Sequence, residues 1–466
     1  MKTISILLIA LFGSITLNAQ DITGQWNGVL KVQGTQLRLM FNISKSDNIL
    51  ITTMDSPDQG AKDIPVTSTS FENSVLKIVI TNARIEFEGT LGNDGIIIGI
   101  LKQAGQSFPM NLSKKKIEKQ KIIRSQEPIK PYSYYNEDVT FENKKAGIVL
   151  AGTLTMPQKE GNFPVVVLIS GSGPQNRDEE ILNHKPFLIL SDYLTKNGFA
   201  VLRFDDRGTA LSKGDFKMAT TADFATDVEA AIIYLKTRKE INKKKIGLIG
   251  HSEGGVIAPM VASKSKDVAF IVLLAGTGID GGELLLMQQK LIGKASGVND
   301  IELQKNENLN KSAFDIVRNS NGLGQLEIDL TEYITKYFKN NPDSEKPEGM
   351  SEDDFIKLQV KQIANPWMQY FIKYNPAATL EKVKCPVLAI NGEKDLQVPP
   401  KENLNAIKNA LTKGGNKKIT IKELPNLNHL FQDCNTGAPS EYATIEETFS
   451  PKAMTEILNW LQQQTN

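Results

Sequence analysis

At 466 residues the chain has room for two domains or for one large domain with insertions. Its apolar content of 40% is ordinary for a soluble globular protein. A formal net charge of +1, without an extended basic stretch, argues against nucleic acid or an anionic surface as partner.

Met1 and Lys2 give a positive start, residues 4–17 are apolar, and Ala19 is a small residue suited to cleavage, so residues 1–20 are expected to be a signal peptide. The run is too short to span a bilayer comfortably, and no cysteine follows it for lipid attachment. No later segment reads as transmembrane, and the mature chain is expected to be exported, periplasmic or secreted. The two cysteines, Cys385 and Cys434, fall at opposite ends of an apolar strand, about 20 Å apart at strand rise. A disulfide needs Cα atoms within about 7 Å, so two free thiols are expected.

Residues 21–115 carry short segments of alternating polarity separated by Gly, Asn, Asp and Ser, the pattern of an antiparallel β sandwich or small barrel. Trp26 is the obvious aromatic there for a carbohydrate-binding role. Residues 116–134 read as a linker, with the basic stretch from Lys114 to Arg124 expected to be solvated. From 135 to 466 strands and helices alternate. Runs such as 163–169, 199–204 and 386–390 are apolar on both faces, as in a mostly parallel sheet covered by helices on each side. Residues from about 279 to 380 read as helices only. Inserted above the C-terminal ends of the strands, they would form a lid over the place where such sheets bind ligands.

One segment carries chemistry. Residues 246–250 form a short apolar strand that runs into Gly250-His251-Ser252-Glu253-Gly254, and an apolar helix follows. A sharp strand-to-helix turn leaves room only for small residues on either side of the central serine and lifts its hydroxyl out of the sheet. A serine hydroxyl needs a base within reach, and the base needs a group that holds its tautomer. The chain has three histidines. His251 adjoins the serine and should point away from it, His184 lies upstream, and His429 lies in a loop after the last strand, where Ser–Asp–His order puts the base. For the acid, Asp395 lies in the turn beyond Gly392, with Glu393 as its rival and Asp205 and Asp206 as further candidates.

With Gly250-His251-Ser252-Glu253-Gly254-Gly255, Gly392-Glu393-Lys394-Asp395 and Asn428-His429 in view, residues 135–466 resemble the α/β-hydrolase superfamily, and within it bacterial serine esterases and serine-aminopeptidase-like hydrolases. The resemblance implies an α/β-hydrolase fold with a helical lid, joined here to a small N-terminal all-β domain. It implies Ser252 as nucleophile, His429 as base and Asp395 as the acid that orients it. Backbone N–H groups of Glu253, at the positive end of a helix, and of Ser172 would stabilise the oxyanion. Ser170 stands where relatives often carry His. No cofactor and no metal is expected, and Pro174 with a missing third glycine argues against a phosphate loop at Gly171 and Gly173.

Other residues are open to two readings. Arg207 would pair with Glu253 or an anionic substrate group, or form a structural ion pair. Trp367, Tyr370 and Phe371 have helical spacing and would pack in a core or line an acyl pocket. Asp178, Glu179 and Glu180 resemble a site for a substrate amine or read, preferably, as a solvated acidic turn. The leading function is hydrolysis of a small-molecule carboxylic ester through an acyl-enzyme. The alternatives are an exopeptidase of the same fold and a non-catalytic ligand- or carbohydrate-binding protein. About a hundred residues of β domain cannot supply the propeller of the large serine peptidases.

Overall fold

The computed structural model describes residues 21–465 apart from 33–34, 48, 60, 82–84, 104–105, 119–123 and 342–350. The expected signal peptide, residues 1–20, lies outside the described residues. The chain divides into two compact units, whose described residues fall before and after position 120.

The first unit is one antiparallel sheet. Its strands are β1 (Gly24–Val32), β2 (Thr35–Ser46), β3 (Ile49–Ser56), β4 (Ala61–Pro65), β5 (Ser68–Glu72), β6 (Val75–Ile80), β7 (Ile85–Leu91), β8 (Ile96–Gln103) and β9 (Gln106–Ser113). They lie in the order β4-β3-β2-β1-β9-β8-β7-β6-β5. Thr69 on β5 donates its hydroxyl to Thr52 on β3 at 2.9 Å, so the sheet curls until strands near its two edges touch. Trp26, Phe41, Leu76, Ile78, Phe87, Ile97 and Leu112 build its core. This is a single curled sheet and not the two-sheet sandwich that alternation alone also allows. Trp26 is a core residue, 2% exposed, whose indole N–H donates to the Ile22 carbonyl. It offers no exposed ring to a sugar.

The second unit has an eight-stranded sheet. Its strands are β10 (Tyr135–Asn143), β11 (Ile148–Met156), β12 (Phe163–Ile169), β13 (Ala200–Phe204), β14 (Ile241–His251), β15 (Val268–Leu274), β16 (Val387–Gly392) and β17 (Ile419–Leu424), in the order β10-β11-β13-β12-β14-β15-β16-β17. From β13 to β17 all neighbours are parallel. The apolar runs are explained by two cores. Val165, Val167, Ile246, Leu248, Ile271 and Val387 face one, with α2 (Thr221–Thr237), α3 (Gly254–Ala262) and α10 (Pro400–Lys413). Val166, Leu168, Ile249, Val272 and Leu388 face the other, with α1 (Pro186–Lys196) and α11 (Pro451–Thr465).

This topology fixes where a ligand can sit. The chain leaves β12 for β13 on one side and returns to β14 on the other, which opens a crevice at the C-terminal ends of β12 and β14. Ile169 pairs with Gly250, and His251 with Leu274, so these strands end at one level. Between β15 and β16 lie the helices α4 (Gly281–Ala295), α5 (Asp300–Asn319), α6 (Leu323–Asn340), α7 (Glu352–Ile363), α8 (Pro366–Lys373) and α9 (Ala377–Leu380). Phe314, Val317, Leu326, Leu330, Ile356, Val360 and Ile372 give this insertion a core of its own. Among the described residues no helix is long and apolar enough to cross a membrane.

Ahead of β10, Lys114, Lys115 and Lys116 are exposed as expected, but Arg124 and Gln126 are tied to the C-terminal part of the chain. Arg124 is buried and donates to the carbonyls of Ala443 and Ile445 and to Glu446. Gln126 bridges Thr448 and Phe449. A basic residue at the end of a charged run looked exposed, and its acceptors lie over three hundred positions away. Cys385 and Cys434 are free thiols.

Candidate active site

Ser252 stands in the turn between β14 and α3 with φ +52°, the left-handed region that a side chain rarely adopts. The neighbouring glycines show why the turn needs them. A Cβ on Gly254 would lie 2.2 Å from the Ile169 carbonyl, and one on Gly250 2.0 Å from the Gly254 carbonyl. With both positions bare, the chain reverses sharply, and α3 starts directly behind the serine. Ser252 is half-buried and reachable from the crevice.

Asp395 and His429 meet. Asp395 lies beyond β16 and is 2% exposed. Its Oδ1 accepts the N–H groups of Gln397 and Val398 at 2.8 and 2.9 Å, and its Oδ2 accepts from His429 Nδ1 at 2.8 Å. This leaves Nε2 as the free edge of the imidazole. Glu393, the rival, is exposed and accepts from the Asn426 N–H. The His429 loop is held by Asn428, whose Oδ1 accepts from Leu430 N and Gln432 N. Among the described residues no hydrogen bond joins Ser252 Oγ to His429, a contact that often tightens only once substrate is bound.

The loop after β12 runs past the serine. A Cβ on Gly171 would lie 3.2 Å from Ser252 Cβ. Ser172 and Glu253 line one small cavity with Ser252, and among the described residues neither of their backbone N–H groups is hydrogen-bonded. Unbonded main-chain N–H groups on residues lining a cavity beside a serine are the kind of donor that can receive a developing oxyanion.

The model of the X-Pro dipeptidyl-peptidase (S15) family matches residues 146–423, more than half of the chain. The chain belongs to this family. It is similar to Esterase EstD of Thermotoga maritima, 25% identical over 334 residues that cover 72% of this chain and 69% of that one. An uncharacterised 31.7 kDa Escherichia coli protein is 25% identical over 279 residues, 59% of this chain and 87% of its own. Among solved structures, an esterase from Pyrococcus furiosus matches 72% of this chain and 92% of its own at 16% identity and a TM-score of 0.44. The S15 protein is thus a hydrolase, with the α/β-hydrolase fold that its sheet order and motifs imply.

The remaining candidates of the S15 protein divide. Trp367 and Phe371, stacked with ring centroids 4.9 Å apart, line the cavity at Ser252 together with Leu284, Leu285 and Val398. That cavity is small, about 50 Å³. Tyr370, on the same helix, stacks on Tyr374 and lines a separate groove with Lys373, so it is not at the serine. Arg207 is not free for a substrate either. Its guanidinium is buried, bonds Asp227 at 2.7 Å and donates to the Asp223 carbonyl. The structural ion pair expected as one of its two readings is what Arg207 forms, with Asp227 and not Glu253 as the acid, because α2 brings Asp227 against the end of β13.

Glu253 is buried. Its Oε1 accepts from Thr221 Oγ1 at 2.6 Å and from Trp367 Nε1 at 2.7 Å. Burial raises its carboxyl pKa, against the pull of those two bonds. Asp206 accepts from Ser170 Oγ and Gln175 N, yet burial pushes its pKa up to about 8. Sequence reasoning missed Glu179. It is no solvated turn residue but 4% exposed, accepting from Gly171 N at 2.7 Å and paired with His251 Nδ1 at 2.9 Å. Local spacing did not reveal this: Gly171 lies eight positions upstream in the same loop, but His251 comes from the end of β14, 72 positions away. Among the described residues no group of side chains is arranged to hold a metal ion.

Proposed function

We propose that this S15 protein is a serine hydrolase of small carboxylic esters that works through an acyl-enzyme. Ser252 Oγ attacks the carbonyl carbon as its proton passes to His429 Nε2. The negative charge that develops on the carbonyl oxygen is received by the N–H groups of Glu253 and Ser172, each worth about 3 kcal/mol. The tetrahedral intermediate collapses, the alcohol departs with the proton from His429, and a water deprotonated by His429 then releases the acid and restores the serine. Asp395 holds the imidazole with Nδ1–H bonded and Nε2 turned outward.

The observation that carries this reading is the Asp395–His429 hydrogen bond at 2.8 Å, formed at the same rim of the sheet as the strained serine turn. The name of the Thermotoga relative, an esterase, agrees with it. The family's own name raises the exopeptidase reading. An exopeptidase of the aminopeptidase-like kind has to receive a charged α-amine, usually on a carboxylate. Three buried carboxylates of the segments around the serine are already engaged: Glu253 by Thr221 and Trp367, Glu179 by His251 and Gly171, Asp206 by Ser170 and Gln175. A cavity of about 50 Å³ also suits a short acyl group better than a dipeptide.

The test is a comparison of p-nitrophenyl acetate with aminoacyl and X-Pro amides on native enzyme and Ser252→Ala. Ester turnover that is lost in the variant, with amides slower by at least about 100-fold, is expected. Full activity in Ser252→Ala would overturn the nucleophile, and amide turnover equal to ester turnover would favour the peptidase.

A further inference from the structure

His251 is a buried histidine whose two ring nitrogens both face acceptors. Nδ1 lies 2.9 Å from Glu179 Oε1, and Nε2 lies 3.0 Å from the main-chain carbonyl of His429. A carbonyl can only accept, so Nε2 carries a proton. Glu179 Oε1 already accepts the Gly171 N–H at 2.7 Å, which marks it as an acceptor toward Nδ1 as well. Both nitrogens then donate, and the ring is an imidazolium facing a carboxylate. Burial alone would lower the histidine's pKa, but the charge and hydrogen bond of Glu179 outweigh it and the net shift is upward. Both side chains are almost wholly enclosed, 6% and 4% exposed.

The partners of this pair are telling. Gly171 belongs to the loop that presents Ser172 N–H, and a Cβ there would touch Ser252. His429 is the proposed base, and its ring centroid lies 4.8 Å from that of His251. Asp395 fixes the ring of His429, while His251 fixes its main chain. We propose that Glu179 and His251 form a charged positioning pair: the carboxylate clamps Gly171, the imidazolium grips the His429 carbonyl, and together they hold oxyanion loop and base in register with the serine between them. Neither residue touches the reacting atoms. The proposal rests on the triad reading above and adds to it the device that assembles the triad.

The experiment has two arms. In the unaltered protein labelled with ¹⁵N-histidine, only three histidines contribute signals. The His251 ring is expected to show two N–H protons at pH 7.5, and a ring with a single N–H there would overturn the proposal. In the second arm, Glu179→Gln, His251→Gln and the double variant are assayed, with active sites counted by a serine-directed phosphonate. Per titrated site, kcat is expected to fall about 100-fold, as for a displacement of about 1 Å at a reacting group, with KM within about threefold. The double variant should be no worse than the poorer single one, because the residues act as a unit. A kcat per site within about threefold of native in both single variants would overturn the pair while leaving the triad standing. Activity in Ser252→Ala would instead remove the triad. Should the variants not fold, the spectrum of the native protein decides.

Discussion

Ser252 holds a left-handed backbone conformation that glycine adopts freely and a side chain adopts at a cost of about 1–2 kcal/mol. Serine at this position is thus strained, as the proposed nucleophile would require. Replacing it by alanine removes the hydroxyl but keeps the strain, whereas glycine removes both. Ser252→Gly is therefore expected to be more stable than Ser252→Ala by about 1 kcal/mol, even though glycine also loosens the unfolded chain. Urea unfolding of the two variants checks this, and an alanine variant equal to or more stable than the glycine one would show that the turn is unstrained. A second residue-scale prediction concerns Asp205, buried at the end of β13. Burial would raise its carboxyl pKa, but Arg177 binds it through N, Nε and Nη2, and the net shift is downward from 3.8. In the native protein this carboxylate contributes stability above the unfolded value, and the contribution is lost as pH falls through the lower folded one. In Arg177→Met the buried charge has no counter-charge, so its folded pKa rises. The variant should lose about 3 kcal/mol at pH 7 and recover part of the deficit near pH 4, where the carboxyl takes up its proton. Unfolding curves at the two pH values that stay equally far apart would contradict this. At this scale the sequence was readable wherever chemistry is local. The small residues around Ser252 and the bare Gly392 before Asp395 announce their turns. Glu179 and Arg124 were not readable, because each is defined by a partner that only the tertiary fold delivers, and for Arg207 a structural ion pair was foreseen but not its partner, Asp227.

At the scale of elements, the six helices between β15 and β16 were legible as an insertion, since helical spacing with polar faces interrupts the strand alternation. What their spacing did not reveal is that a single helix serves two surfaces. On α8, Trp367 and Phe371 turn toward Ser252, while Tyr370 turns to a groove of its own. The bond from Trp367 Nε1 to Glu253 ties this helix to the residue that follows the serine. Leu284 from α4 and Phe371 from α8 are both nearly inaccessible and close the small cavity. The acyl group is therefore expected to be size-limited by these helices. Native kcat/KM should fall from acetyl to butyryl to hexanoyl p-nitrophenyl esters, each added methylene costing about 1–3 kcal/mol once the pocket is filled. Leu284→Ala and Phe371→Ala should raise the hexanoyl-to-acetyl ratio at least about tenfold. A chain-length profile unmoved by both substitutions would place the acyl group elsewhere.

At the scale of the whole molecule, each of the two units has the parts of an independent domain. The first closes a core around Trp26, Phe41 and Phe87 within one curled sheet. The second has cores on both faces of its sheet and contains every residue assigned to the proposed chemistry. The sequence expects two domains but places the linker through residue 134, and the point of division matters physically. Arg124, Gln126 and Glu127 are anchored within the second unit: Arg124 on Ala443, Ile445 and Glu446, Gln126 on Thr448 and Phe449, Glu127 on Lys185 at 2.8 Å. The segment they hold leads from Tyr442 and Thr448, which bond His184, and runs on into α11. A fragment of residues 121–466 is therefore expected to fold cooperatively and to keep kcat/KM for p-nitrophenyl acetate within about threefold of the full chain. A fragment that begins at residue 135 removes the buried Arg124 and leaves three main-chain carbonyls without their donors. Each lost hydrogen bond costs about 0.5–1.5 kcal/mol, so this shorter fragment should unfold at least about 3 °C lower, by the usual conversion of stability into melting temperature for a large domain. Calorimetry of the two fragments and the full chain separates the possibilities. Equal melting of both fragments would mean that the segment before β10 adds nothing to the hydrolase unit, and an inactive 121–466 fragment would mean that the curled sheet takes part in turnover.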